Sequence, residues 1–132
     1  MRAKLIQHEI TRILSDNYAL PCGKGCREII DFLKEVFNAD IKLIVPRENG
    51  SIMHAEVVIE GGTIMFANAN DDFPPFPAGM FIHSPNAITF YDKALKNAAT
   101  SIQEPAQREY GLSAGFEDAW GNVWWVTVPE NK

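Results

Sequence analysis

Apolar residues recur along this chain at two periods, and the change from one to the other lays out most of its elements. Over residues 27–39 (REIIDFLKEVFNA), Ile29, Ile30, Leu33, Val36 and Phe37 fall on one stripe, with Asp31, Lys34 and Glu35 opposite. That spacing predicts an amphipathic helix. Residues 3–15 place Ile6, Ile10, Ile13 and Leu14 at a similar period and predict a second helix. The period drops to two over residues 53–60 (MHAEVVIE), where His54, Glu56, Val58 and Glu60 alternate with Ala55, Val57 and Ile59. Asn49-Gly50 before this stretch and Gly61-Gly62 after it are turn formers. Residues 41–45 (IKLIV), 53–60 and 63–68 (TIMFAN) therefore read as three strands joined by turns. Residues 17–22 (NYALPC) are a short strand candidate ahead of the helix.

Residues 69–79 hold three prolines, no period, and two phenylalanines, Phe73 and Phe76. They read as a linker or lid, after which the order starts again. Residues 80–84 (MFIHS) predict a strand and residues 86–98 a helix; TSIQ, SAGFED and NVWWVTV are strand candidates, the last two split by a turn at Gly121. A shift of 58 lays Ile30 on Ile88, Phe32 on Phe90, Val36 on Ala94 and Phe37 on Leu95; a shift of 60 lays Gly61 on Gly121 and Met65 on Trp125. Two copies of a β-α-β-β-β unit account for both. The expected plan is α+β, one domain: an N-terminal helix (1–16), a first module (17–68), the Pro-rich joint (69–79) and a second module (80–129). Paired modules of this kind enclose a half-barrel cavity.

Composition narrows the function classes. With 132 residues, 46% hydrophobic and 22% charged, the chain is an ordinary single globular domain. A net charge of −5 argues against a nucleic-acid footprint, which needs clustered Lys and Arg. No apolar run approaches a membrane span, and the first residues lack a signal-peptide core, so a cytoplasmic protein is expected. Cys22 and Cys26 lack the second pair of a zinc site and read as small buried hydrophobes.

All three tryptophans, Trp120, Trp124 and Trp125, crowd around the turn at Gly121. Strand alternation turns Trp124 and Trp125 to opposite faces, one toward a core and one toward a cavity, while Trp120 in the turn is the one expected to be partly exposed. Glu117-Asp118 before the turn reads as turn chemistry, the Asp side chain capping backbone N–H groups.

Four stretches carry a family likeness: residues 23–37, 51–68, 84–101, and a C-terminal end marked by Glu104-Pro105, Tyr110-Gly111 and Gly121-Asn122-x-Trp124-Trp125. Together they resemble the vicinal-oxygen-chelate superfamily of glyoxalase I, bleomycin-resistance proteins and extradiol dioxygenases, in particular its PhnB-like branch. The resemblance implies eight strands in two modules around a U-shaped cavity, and commonly a homodimer that shares or swaps modules. Its enzymes hold a divalent metal with His, Gln or Glu from four strands. Carried over by position, those ligands fall on Trp125, Met65, Gly79 or Met80, and near Tyr18. Such residues do not bind Mg²⁺, Mn²⁺ or Zn²⁺.

The resemblance thus implies a protein without a metal or other cofactor that binds a small aromatic or amphipathic organic molecule. Its expected wall is Trp125, Met65, Phe66, Phe81 and Tyr110, with Tyr18 nearby and Phe73 and Phe76 on the lid. The alternative is a metal-dependent lyase, isomerase or dioxygenase of the same superfamily. His54 and Glu56, which share a strand face, and His83 are its candidate catalytic or ligating residues.

Overall fold

A computed structural model describes residues 11–15, 24–68 and 78–130. The element order repeats once: β1 (Thr11–Ser15), α1 (Lys24–Phe37), β2 (Asp40–Pro46), β3 (Ile52–Ile59) and β4 (Gly62–Asn68), then β5 (Gly79–His83), α2 (Ala87–Lys96), β6 (Thr100–Arg108), β7 (Gly111–Glu117) and β8 (Val123–Pro129). Each half forms its own four-stranded sheet, ordered β1-β4-β3-β2 and β5-β8-β7-β6. The outer pairs β1–β4 and β5–β8 are parallel and the rest antiparallel. The fold is α+β, built from paired β-α-β-β-β modules.

The repeat extends to turn geometry. Gly61 and Gly121 both take a left-handed backbone, φ 81° and φ 89°, which glycine adopts without steric cost. Phe32 and Phe90 are both buried, as are Val36 and Ala94, whereas Phe37 is buried and its counterpart Leu95 is 37% exposed. Phe37 is committed because its ring meets Phe90, Phe116 and Trp124 at centroid distances of 5.1, 6.2 and 4.6 Å. Phe32 likewise packs edge-on against Phe116 and Trp120. Phe32 and Phe37 of the first half's helix thus pack against rings of the second half. Ser84 Oγ adds a polar tie between the halves, donating to Glu60 Oε1 at 2.9 Å.

One expectation fails at the N-terminus. Residues 11–15 lie within the predicted helix, yet they form β1, parallel to β4 with Thr11 opposite Ile64 and Ser15 opposite Asn68. The first module therefore begins by residue 11, not 17. Helical spacing over so short a stretch is a weak preference, and the free edge of β4 offers five residues of ladder pairing instead. The strand expected at 17–22 and both cysteines lie outside the described residues.

Among the described strands, none of one sheet is hydrogen-bonded to a strand of the other. Strands β2 and β6 are edges among them, with Ile41, Leu43, Ile44 and Ile102 each at least 40% exposed. β6 also runs through Pro105, unassigned by pattern; its register shifts twice, between Ser101 and Gln103 and between Gln103 and Ala106. An edge strand tolerates such a proline because one side of its backbone pairs with nothing.

Candidate functional site

The turn between β7 and β8 decides which tryptophan goes where. Asp118, 4% exposed, accepts four hydrogen bonds: from the Trp120 and Asn122 backbone N–H groups on Oδ1, and from Asn122 Nδ2 and Trp124 Nε1 on Oδ2, all at 2.9–3.0 Å. Burial pushes its carboxyl above the ordinary pKa, and the four donors pull the other way. Asp118 caps the turn as its position predicts, and it also takes the indole N–H of Trp124, which is wholly buried. Trp120 is half-buried against Phe32.

With Trp124 fixed toward the helices, alternation turns Trp125 to the other face of the second sheet. Cross-strand register places it beside Phe81 on β5 and Gly115 on β7. A Cβ at residue 115 would come within 2.6 Å of Trp125 Cε3, so the missing side chain is the space in which the indole lies. We expect Gly115→Ala to lift that ring and to cost about 1–3 kcal/mol by overpacking. In a urea-denaturation cycle the cost should vanish when Trp125 is also Ala.

Phe81, Tyr110 and Trp125, with Gly79, Met80, Gln103 and Arg108, line a cavity of about 630 Å³ on this face. The volume lies within the usual range for organic ligands, roughly 300–1,000 Å³. Phe81 stands edge-on to Tyr110 at 6.2 Å and to the His83 ring at 4.9 Å. Gln103 Nε2 donates to the Ser113 carbonyl at 3.3 Å, and Arg108 Nη2 donates to Gln103 Oε1 at 2.9 Å. Behind them Thr127 Oγ1 donates to Ser113 Oγ at 3.0 Å, both residues buried.

Of the residues read from sequence, Trp125, Phe81 and Tyr110 therefore meet in one pocket. Met65 does not line it: it faces away from the helices on the other sheet, opposite Glu56. Phe66 is a correction. It is 2% exposed and belongs to the core, because it neighbours Met65 on a strand and must point the other way. Tyr18, Phe73 and Phe76 lie outside the described residues. His54 Nε2 and Glu56 Oε2 are paired at 2.7 Å beside Lys42, on β3, while His83 stands on β5 of the other sheet.

Gln103 and Arg108, which complete the pocket, were not singled out. The available signal was Arg108 adjoining the Tyr110-Gly111 turn, which joins β6 to β7. The mapped metal positions do not fit a metal: Trp125, Gly79, Met80 and Met65 offer no carboxylate, imidazole or thiolate. Among the described residues, no three His, Cys, Asp or Glu side chains are grouped to hold an ion. No helix there is long and apolar enough to cross a membrane.

No protein-family model and no curated protein sequence matches the chain. Solved structures do. TioX from Micromonospora sp. ML1 superposes with a TM-score of 0.72 at 16% identity, covering 94% of this chain and 99% of TioX. A PhnB protein from Bacillus cereus gives 0.65 at 17% identity, covering 92% and 99%. TnmS3 from Streptomyces sp. CB03234, described as an antibiotic-binding protein, gives 0.65 at 17% identity, covering 92% and 96%. The chain shares the fold of these glyoxalase/bleomycin-resistance-type structures, the fold that the resemblance implied.

Proposed function

We propose that this protein binds a small aromatic or amphipathic organic molecule in the cavity of its second sheet, without a metal ion, and acts as a homodimer. The observation that carries the reading is the composition of the wall. Three aromatic rings frame about 630 Å³, and among the described residues the others that line it, Gly79, Met80, Gln103 and Arg108, include no carboxylate, thiolate or imidazole. Such a surface holds a flat ligand by area and stacking and offers no general base at its centre. The likeness to an antibiotic-binding protein of the same fold supports a binding role.

Two features support the dimer. Met65, Glu56 and Leu43 stand in register on the outward face of the first sheet, with Leu43 43% exposed, and the edges β2 and β6 expose apolar side chains. A second copy placing its first-module face over the pocket would cover both.

Native mass spectrometry on protein purified without chelator tests the reading. The expected species is a dimer, with organic adduct or with one N-phenyl-1-naphthylamine bound per chain after titration, and no stoichiometric metal. A monomer that binds no probe, or a dimer carrying one divalent ion per chain, would overturn it.

A further inference from the structure

We infer that the cavity selects an aromatic ligand bearing an anionic group, with Arg108 as the residue that recognises it; the inference rests on the cavity being the binding site. Arg108 is the one charged residue among the described residues that line the pocket. Among the described residues no carboxylate lies within ion-pair distance of it, although the chain carries a net charge of −5 and Glu104 and Glu109 are close in sequence. A guanidinium has five N–H donors in a rigid fork. One is spent on Gln103 Oε1.

The pocket's remaining polar groups have the matching polarity. The Gln103 amide is held at both ends, its nitrogen on the Ser113 carbonyl and its oxygen by Arg108, which fills one of the oxygen's two acceptor sites. That arrangement fixes the guanidinium at the pocket while leaving donors unspent. The Tyr110 hydroxyl, on a side chain 53% exposed, stands on the same wall. A ligand stacked against Trp125 and Phe81 therefore meets donors at its polar end. A carboxylate, sulfonate or acidic phenolate satisfies them; an ammonium does not. Because the overall charge repels anions, selection must come from this local cation.

The test uses three ligands with one ring system, naphthalene-2-carboxylate, its neutral carboxamide, and 2-naphthylmethylammonium, titrated calorimetrically into the intact protein. Affinity should fall in that order, the carboxylate binding about tenfold more tightly than the carboxamide, as expected for a charge-assisted hydrogen bond at a partly exposed site. Raising the salt concentration should shrink that ratio. Arg108→Gln should bring carboxylate and carboxamide affinities to within about twofold of each other, with the larger loss on the carboxylate. Gln103→Glu, which sets a carboxylate on the guanidinium, should also erase the preference. If the carboxamide binds wild type as well as the carboxylate, or Arg108→Gln weakens both alike, the charge selection is wrong and the cavity reading stands. If none of the three binds, both fall.

Discussion

Asp118→Ala is expected to destabilise the protein by about 4 kcal/mol, a large part of the roughly 5–15 kcal/mol that holds a domain folded. The side chain meets four donors, three of them in buried hydrogen bonds. Each buried donor left unmet costs roughly 1–3 kcal/mol, and water entering the vacated space recovers part of the sum. The consequence reaches the pocket, because the carboxylate both shapes the turn at Gly121 and holds the Trp124 indole that sets the facing of β8. Asp118→Asn keeps the shape but presents an N–H₂ to some of those donors, so a smaller loss, about 2 kcal/mol, is expected. Urea denaturation of the three proteins at neutral pH measures both. A second readout follows from the raised pKa of Asp118. A group whose folded pKa exceeds its unfolded one contributes most below the unfolded value, near 3.8, and loses that contribution as pH rises through the folded value. The stability gap between wild type and Asp118→Asn should therefore be wider at acid pH than at neutral pH. A loss below 1 kcal/mol in Asp118→Ala would show that the turn is held by something else.

How far the sequence speaks depends on whether a residue's role is set by its neighbours in the chain. β3 was legible because Ala55, Val57 and Ile59 alternate with polar residues, and α1 because five apolar side chains share a stripe. The opposite facing of Trp124 and Trp125 followed from adjacency alone; the direction each took was set by Asp118, six residues before Trp124. Phe66 was misplaced for the converse reason: aromatic character was allowed to override alternation with Met65. β1 was misread because pairing with residues 64–68 belongs to the sheet and leaves no trace in residues 11–15. Gln103 and Arg108 stayed hidden for a related reason. Two shifts of register and a proline remove any period from β6, so the faces of its side chains are fixed only by pairing with β7. Gly115 is the extreme case, since its contribution is the space taken by a cross-strand partner ten residues away.

Trp125→Ala is expected to raise the Kd for a neutral aromatic probe such as N-phenyl-1-naphthylamine about thirtyfold, with little effect on folding. The six-membered ring of the indole occupies the space left by Gly115 and lines the cavity, where it is only partly buried by the protein itself. Its truncation removes little core but withdraws a stacking surface from the ligand. Losing roughly 80 Å² of apolar contact at about 25 cal/mol per Å² comes to about 2 kcal/mol, which converts to that factor. Trp125→Phe should recover most of the affinity, because a smaller ring still offers a π-face. Met65→Ala separates two ways of building the site. In a single chain Met65 is absent from the pocket wall, so a pocket made by one sheet is indifferent to it. A pocket completed by a second copy loses affinity when that copy's first-module face is trimmed. Calorimetric titration of the three variants gives both answers. An unchanged Kd in Trp125→Ala would place the ligand elsewhere, whatever Met65→Ala does.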